Sequence, residues 1–167
     1  MSLSDTIKIK LRPLIRPVVR FLMFYVYDTH VVVGSSGKLT IGKRCALANG
    51  YFNVSSGNIT IGDCSILGPN VMVITGRHLF KAGRRASLHE GVNSPYIGGG
   101  PEEVPDTGYD ITIGSGTWIA AGAIISGRVR IGNNVIIAAN SVVTRDIPDY
   151  AVAAGCPAKI IGDTRNM

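Results

Sequence analysis

Between Ile113 and Pro148 an aliphatic residue returns at every sixth position: Ile113, Ile119, Ile125, Ile131, Ile137 and Val143. A helix repeats an apolar position about every 3.6 residues and a strand every second one, so neither produces this period. A six-residue period sustained over six units calls for short strands that turn a corner each time. Three such strands close one coil of 18 residues, and stacked coils make a solenoid.

The same frame extends towards the N-terminus. Leu39-Thr40-Ile41-Gly42, Ile59-Thr60-Ile61-Gly62, Ile111-Thr112-Ile113-Gly114 and Val129-Arg130-Ile131-Gly132 read as copies of one coil start. Ile113 and Ile131 are 18 residues apart, Ile41 and Ile61 are 20 apart, and Ile61 and Ile113 are 52 apart, which is one coil plus 34 further residues. One long loop therefore interrupts the stack.

Two columns of the repeat support this register. The first hexad position, expected to point inward, reads Ile41, Leu47, Asn53, Ile61, Leu67, Val73, Ile113, Ile119, Ile125, Ile131, Ile137 and Val143, aliphatic at eleven of twelve places. The fourth position reads Arg44, Gly50, Ser56, Cys64, Asn70, Gly76, Gly116, Gly122, Arg128, Asn134, Asn140 and Asp146, and eight of these are Gly, Asn or Asp. Those types tolerate left-handed backbone angles, so the column predicts corners.

Without the loop, residues 31–161 supply 97 residues, enough for about five coils. Each coil rises about 4.8 Å at ordinary strand spacing. The expected fold is all-β, a parallel β-helix. Parallel crossovers are right-handed on general grounds, and the sequence by itself leaves the hand of the coil open. With 167 residues, 46% of them hydrophobic, the chain reads as one domain. An N-terminal segment 1–30 precedes the solenoid 31–161, which carries the insertion 78–110, and a polar tail 162–167 follows.

The net charge is +6, and its cations are spread along the chain, among them Lys8, Arg84, Arg130 and Lys159. A nucleic-acid interface would gather them into a stripe with aromatic residues interleaved, so no nucleic acid is expected. An anionic small ligand or an anionic membrane face fits the distribution. Cys45, Cys64 and Cys156 are odd in number and form no C-x-x-C pair, which predicts neither a disulfide framework nor a zinc ribbon. The expected compartment is a reducing cytoplasm.

No stretch reads as a signal peptide, and no apolar run reaches the about 20 residues a spanning helix needs. Residues 5–27 form an amphipathic lead-in, with Arg12, Arg16 and Arg20 at four-residue spacing and Pro13 and Pro17 interrupting any long helix. One reading is a cap over the open end of the solenoid. The other is a peripheral contact with the inner face of the membrane, Phe21 to Tyr25 inserting beside the arginines.

Among the three histidines, His78 closes the 18-residue coil begun at Ile61, where the long Gly- and Pro-rich loop leaves. Loops of this length in a compact domain are functional or disordered. Taken alone, such a histidine reads either as structural or as a neutral imidazole suited to removing a proton near neutral pH. His89, inside the loop, is the rival base or an orienting group, and His30 reads as a surface residue. The three are not spaced as a zinc site, so no metal is expected. Trp118, at an outward position, reads either as interface packing or as a flat apolar face for a ligand. Ala120, Ala121, Ala138 and Ala139 are either economical packing or an exposure of backbone amides.

Ile61-Gly62-Asp63, Gly68-Pro69-Asn70-Val71, His78, Thr117-Trp118-Ile119, Ile131-Gly132-Asn133-Asn134, the run Ser141 to Pro148 and the run Ala153 to Lys159 together carry a resemblance. Over residues 39–161 the chain resembles the hexapeptide-repeat acyltransferases, and among them the sugar O-acetyltransferases related to the galactoside, maltose and polysaccharide-modifying enzymes. The resemblance implies a left-handed parallel β-helix and a homotrimer with active sites between neighbouring subunits. It also implies acetyl-coenzyme A as donor and direct, base-assisted transfer of the acetyl group to a saccharide hydroxyl.

By that resemblance His78 is the base, and Trp118, His89 and Asn70 belong to the acceptor site. A backbone amide near Ala121 holds the thioester carbonyl, while Ala139, Thr144, Arg145 and Lys159 line the pantetheine arm and phosphates. Three departures leave the acceptor open: the positions around Ala48 and Ser56, the longer loop after His78, and the N-terminal segment. N-acetylation of an amino or nucleotide sugar is the alternative, followed by a non-catalytic scaffold. A γ-type carbonic anhydrase, which shares the solenoid, would need a histidine spacing absent here.

Overall fold

The computed structural model describes residues 30–81, 83–85 and 104–167, together with Ile15, Pro17, Val18 and Leu22, whose backbone is helical. The expectations for most of 5–27, for His89 and for the middle of the loop lie outside the described residues.

Three parallel sheets form the faces of a β-helix. Face one stacks β1 (Val31–Val33), β3 (Tyr51–Asn53), β6 (Met72–Ile74), β11 (Ile124–Ser126) and β14 (Val142–Val143). Face two stacks β2 (Leu39–Ile41), β4 (Ile59–Ile61), β9 (Ile111–Ile113) and β12 (Val129–Ile131), and the bridge from Ile131 to Ile147 adds a fifth rung. Face three begins at the bridge from Ala46 to Ile66. It continues through β5 (Ile66–Leu67), β10 (Trp118–Ile119), β13 (Ile136–Ile137) and β15 (Ala151–Gly155). The expected five coils are these five rungs. At the C-terminal end β16 (Ala158–Asp163) folds back antiparallel on β15. The segment 162–167, read as a tail, thus holds the end of β16 and a 3₁₀ turn over Thr164–Asn166.

The six-residue period puts one side chain per strand on the axis. Ile61, Leu67, Val73, Ile113, Ile119, Ile125, Ile131, Ile137 and Val143 are all at most 1% exposed. Fully burying such a side chain is worth about 1.5–3 kcal/mol, so this column supplies much of the fold's stability. Truncating one, as in Ile119→Ala, would open a cavity and cost about 2–5 kcal/mol.

One member of the expected inward column is displaced. Phe52, not Asn53, pairs with Val73 and is fully buried, and Asn53 pairs with Ile74 on the half-exposed side. The step from Leu47 is five residues here, and the step onward to Ile61 is nine, which together account for the 20-residue coil. The left-handed corner accordingly falls on Asn49 (φ 55°) rather than Gly50. At the far end of the stack Ile41 also departs from expectation, being 38% exposed.

Positive φ occurs at Arg44, Cys64, Asn70, Gly76, Gly116, Gly122, Asn134 and Asn140, eight of the twelve predicted corners. At a further corner it falls on Gly127, one residue before the expected Arg128. Side chains on neighbouring rungs then satisfy the exposed corner amides. Asp63 Oδ1 accepts from the Lys43 N–H at 2.8 Å, Asn133 Oδ1 from Ser115 at 2.9 Å and Asp149 Oδ1 from Asn133 at 2.8 Å. Such caps explain why polar residues recur where a buried ladder cannot reach.

The loop starts with a short antiparallel hairpin, β7 (Phe80–Lys81) with β8 (Arg84–Arg85). It returns where the Tyr109 N–H donates to Ser56 O at 3.1 Å. No described helix is long and apolar enough to cross a membrane.

Candidate active site

Two of the three corners, together with face three, carry the described candidate residues. At the corner between faces three and one, Pro69, Ala121 and Ala139 occupy the same place on successive rungs, two residues past Leu67, Ile119 and Ile137. Ala121 and Ala139 are exposed, and neither gives its N–H to a backbone carbonyl among the described residues. Pro69, which has no N–H to give, marks the same position one rung earlier. Gly68 makes room here, since a Cβ on it would lie 2.7 Å from the Ala121 nitrogen. The result is a pair of accessible amides on an exposed edge, able to bind a carbonyl oxygen or an oxyanion. Asn70 belongs to the same corner, where its Oδ1 accepts from Asn49 Nδ2 at 3.3 Å.

Face three carries Trp118. Its ladder partners are Ile66 on one side and Ile136 on the other. Trp118 is 50% exposed and Ile66 51%, so an apolar column runs up the outside of this face. Lys159, exposed on β16, lies at the top of face three beside Ala154.

His78 belongs to the corner between faces one and two, which the loop leaves. It is exposed and sits four residues beyond Ile74, whose carbonyl accepts the Gly127 N–H at 3.1 Å. Thr144 and Arg145, also exposed, turn the same corner two rungs further on, after β14. The candidates therefore divide. Asn70, Trp118, Ala121, Ala139 and Lys159 lie on face three or its corner with face one, and His78, Thr144 and Arg145 lie across face one from them. A three-residue strand spans about 10 Å, so one copy of the chain does not assemble the whole set around a single point.

Beside the His78 corner is an open cleft of about 660 Å³, lined chiefly by Gly108, Asp110, Thr112, Arg128, Arg130 and Asp146. Sequence reasoning did not single out these residues. The available signal was the Arg128-Val129-Arg130 triplet, which puts two cations around one inward valine at a corner. No group of three His, Cys, Asp or Glu side chains converges as a metal site among the described residues.

Residues 110–145 match the bacterial transferase hexapeptide family, six repeats. The chain is 35% identical over 108 residues to the galactoside O-acetyltransferase of Escherichia coli K12, a match covering 62% of this chain and 43% of that protein. It thus spans less than half the length of that relative. A maltose O-acetyltransferase of Clostridium difficile 630 aligns with TM-score 0.53 and 27% identity, over 86% of this chain and 73% of that one. A hexapeptide-repeat acetyltransferase of Vibrio cholerae, solved with acetyl-coenzyme A, aligns with TM-score 0.55 and 23% identity, over 87% and 75%, a likeness of fold. The hand of the coil is the left-handed one that the resemblance implies. With its repeat matched at residues 110–145 and its fold shared along most of the chain, this protein is a left-handed parallel β-helix similar to the hexapeptide-repeat acetyltransferases.

Proposed function

We propose that the protein transfers an acetyl group from acetyl-coenzyme A to a saccharide hydroxyl, working as a homotrimer. The observation that carries this reading is the exposed edge at Ala121 and Ala139, where amides without backbone acceptors follow the tryptophan face. The named activities of the galactoside and maltose relatives support it.

In this mechanism the acceptor oxygen attacks the thioester carbonyl carbon while His78 takes the hydroxyl proton. The Ala121 N–H stabilises the oxyanion of the tetrahedral intermediate. Collapse expels the coenzyme A thiolate, which recovers the proton from the imidazolium. Thr144, Arg145 and Lys159 line the donor, the two cations meeting its phosphates. No covalent enzyme intermediate is needed, and Cys45, Cys64 and Cys156 take no part.

The trimer resolves the division described above, because the His78 corner of one copy can face the Ala121 corner of the next. The column of exposed Ile66 and Trp118 with half-buried Ile136 supplies an apolar surface for that contact. The three free cysteines fit the reducing cytoplasm proposed as its location.

Coenzyme A release is the test, measured over a panel of sugars, amino sugars and nucleotide sugars for the wild type and His78→Ala. Turnover on hydroxyl acceptors that falls about 10²–10⁴-fold in the variant is expected. Unchanged turnover would remove His78 from its role, and activity confined to amines would make this an N-acetyltransferase.

A further inference from the structure

We propose that the acceptor is an acidic saccharide, whose carboxylate is bound by Arg128 and Arg130 in the cleft beside the His78 corner. This rests on the saccharide acetyl-transfer reading given above and names the class of acceptor.

The cleft holds two cations and two carboxylates, and they are not equivalent. Asp146 Oδ1 accepts the Arg130 backbone N–H at 2.8 Å. Asp110 Oδ1 accepts the Asn58 N–H at 2.7 Å and Asn58 Nδ2 at 3.3 Å. Both carboxylates are thus tied to the corner ladder that caps backbone amides throughout this fold. Neither guanidinium has an ion pair or a side-chain hydrogen bond among the described residues. Each carboxylate has one oxygen committed in this way, whereas the guanidinium donors, up to five on each arginine, are all unused.

Position ties these arginines to the chemistry. Arg130 projects outward from β12 between the buried Val129 and Ile131, beside Thr112 on the next strand. Arg128 follows Gly127, the residue bonded to Ile74, and from Ile74 the chain runs on to His78. The cleft wall at Gly108 and Asp110 is the loop's point of return. A saccharide with its hydroxyl at His78 would lay its next unit along this corner, onto the arginine pair. The planar guanidinium fork matches a carboxylate in a way a neutral hydroxyl does not.

Isothermal titration without donor tests this, using short glucuronate and galacturonate oligosaccharides and their neutral methyl esters. The wild type is expected to bind an acid about tenfold more tightly than its ester, the scale of one charge-assisted contact. Arg128→Gln/Arg130→Gln is expected to bind acid and ester alike, with circular dichroism confirming its fold. If the double variant does not fold, each single substitution should shrink the preference. Equal binding by the wild type, no binding of either acid, or a preference kept in the variants would overturn the proposal. Coenzyme A release on the same compounds separates the two readings. Acetylation without preference for acids overturns the arginine assignment alone, whereas acids bound with preference but never acetylated overturn the acetyl-transfer reading alone.

Discussion

Trp118 stands beside Ile66 in the parallel ladder of face three, and the two leave 50% and 51% of their surfaces uncovered. Large apolar side chains stacked this way on a sheet face mark a contact surface. Light scattering is expected to give three times the chain mass for the wild type and the single-chain mass for Ile66→Asp, because a buried unpaired carboxylate is not tolerated. A monomeric wild type would remove the trimer from the proposed function.

Gly76 precedes His78 by two residues, has φ of 76°, and has no room for a Cβ against Ser56 Oγ and Cβ. Gly76→Ala is expected to lose about 1–3 kcal/mol in denaturant titration, through backbone strain and overpacking together. Ser56 Oγ is buried with no partner. Ser56→Ala should therefore leave stability level or raise it, since it removes a desolvated hydroxyl. It should relieve Gly76→Ala only in part, because the Cβ of residue 56 remains. A large loss from Ser56→Ala would show that the hydroxyl is bonded after all.

The Asp146 cap on the Arg130 amide, at 2.8 Å, gives a further prediction. Asp146→Ala leaves a corner N–H without its protein acceptor and should cost about 1–2 kcal/mol. Asp146→Asn keeps an acceptor oxygen and should recover most of it. Equal losses in the two variants would mean that the charge, not the acceptor, matters.

At the C-terminus Asp163 accepts the Arg165 side chain at 2.6 Å and its backbone N–H at 2.9 Å. The side-chain hydrogen bond, then the backbone one, holds the Asp163 carboxyl at a pKa of about 2, against its ordinary 3.8. A lowered folded-state pKa means the pair's contribution is whole above pH 3.8 and is lost as pH falls through about 2. Carboxyl-resolved NMR should find that titration point, and Arg165→Gln should return it towards 3.8. An ordinary value in the wild type would contradict the contact.

How much of this was legible in the sequence follows from what a period can encode. A six-residue repeat assigns each residue to a face or a corner, and the buried column from Ile61 to Val143 is where it was expected. It assigns wrongly where residues are inserted, as at Phe52 and Asn53, because the two corners beside them differ in length while only their sum shows in the spacing. For the site, the period places Trp118, Ala121 and His78 on the chain but says nothing of how far apart they lie in the stack. The division of candidates across face one emerges only from the stacked rungs. Arg128 and Arg130 looked like two of many scattered cations until the loop's return at Gly108 put a wall beside them.

The backward turn of β16 onto β15 has a consequence for the whole molecule. Stacked coils of this kind form a lattice with no inherent length, each rung offering the next chain the edge it needs, so an uncovered end invites growth into fibres. Along face three β16 occupies that edge from Ala151 to Gly155 with a strand of the opposite direction. A reversed strand cannot template another coil in register, and the same residues that carry Lys159 to the top of the stack close its edge along face three.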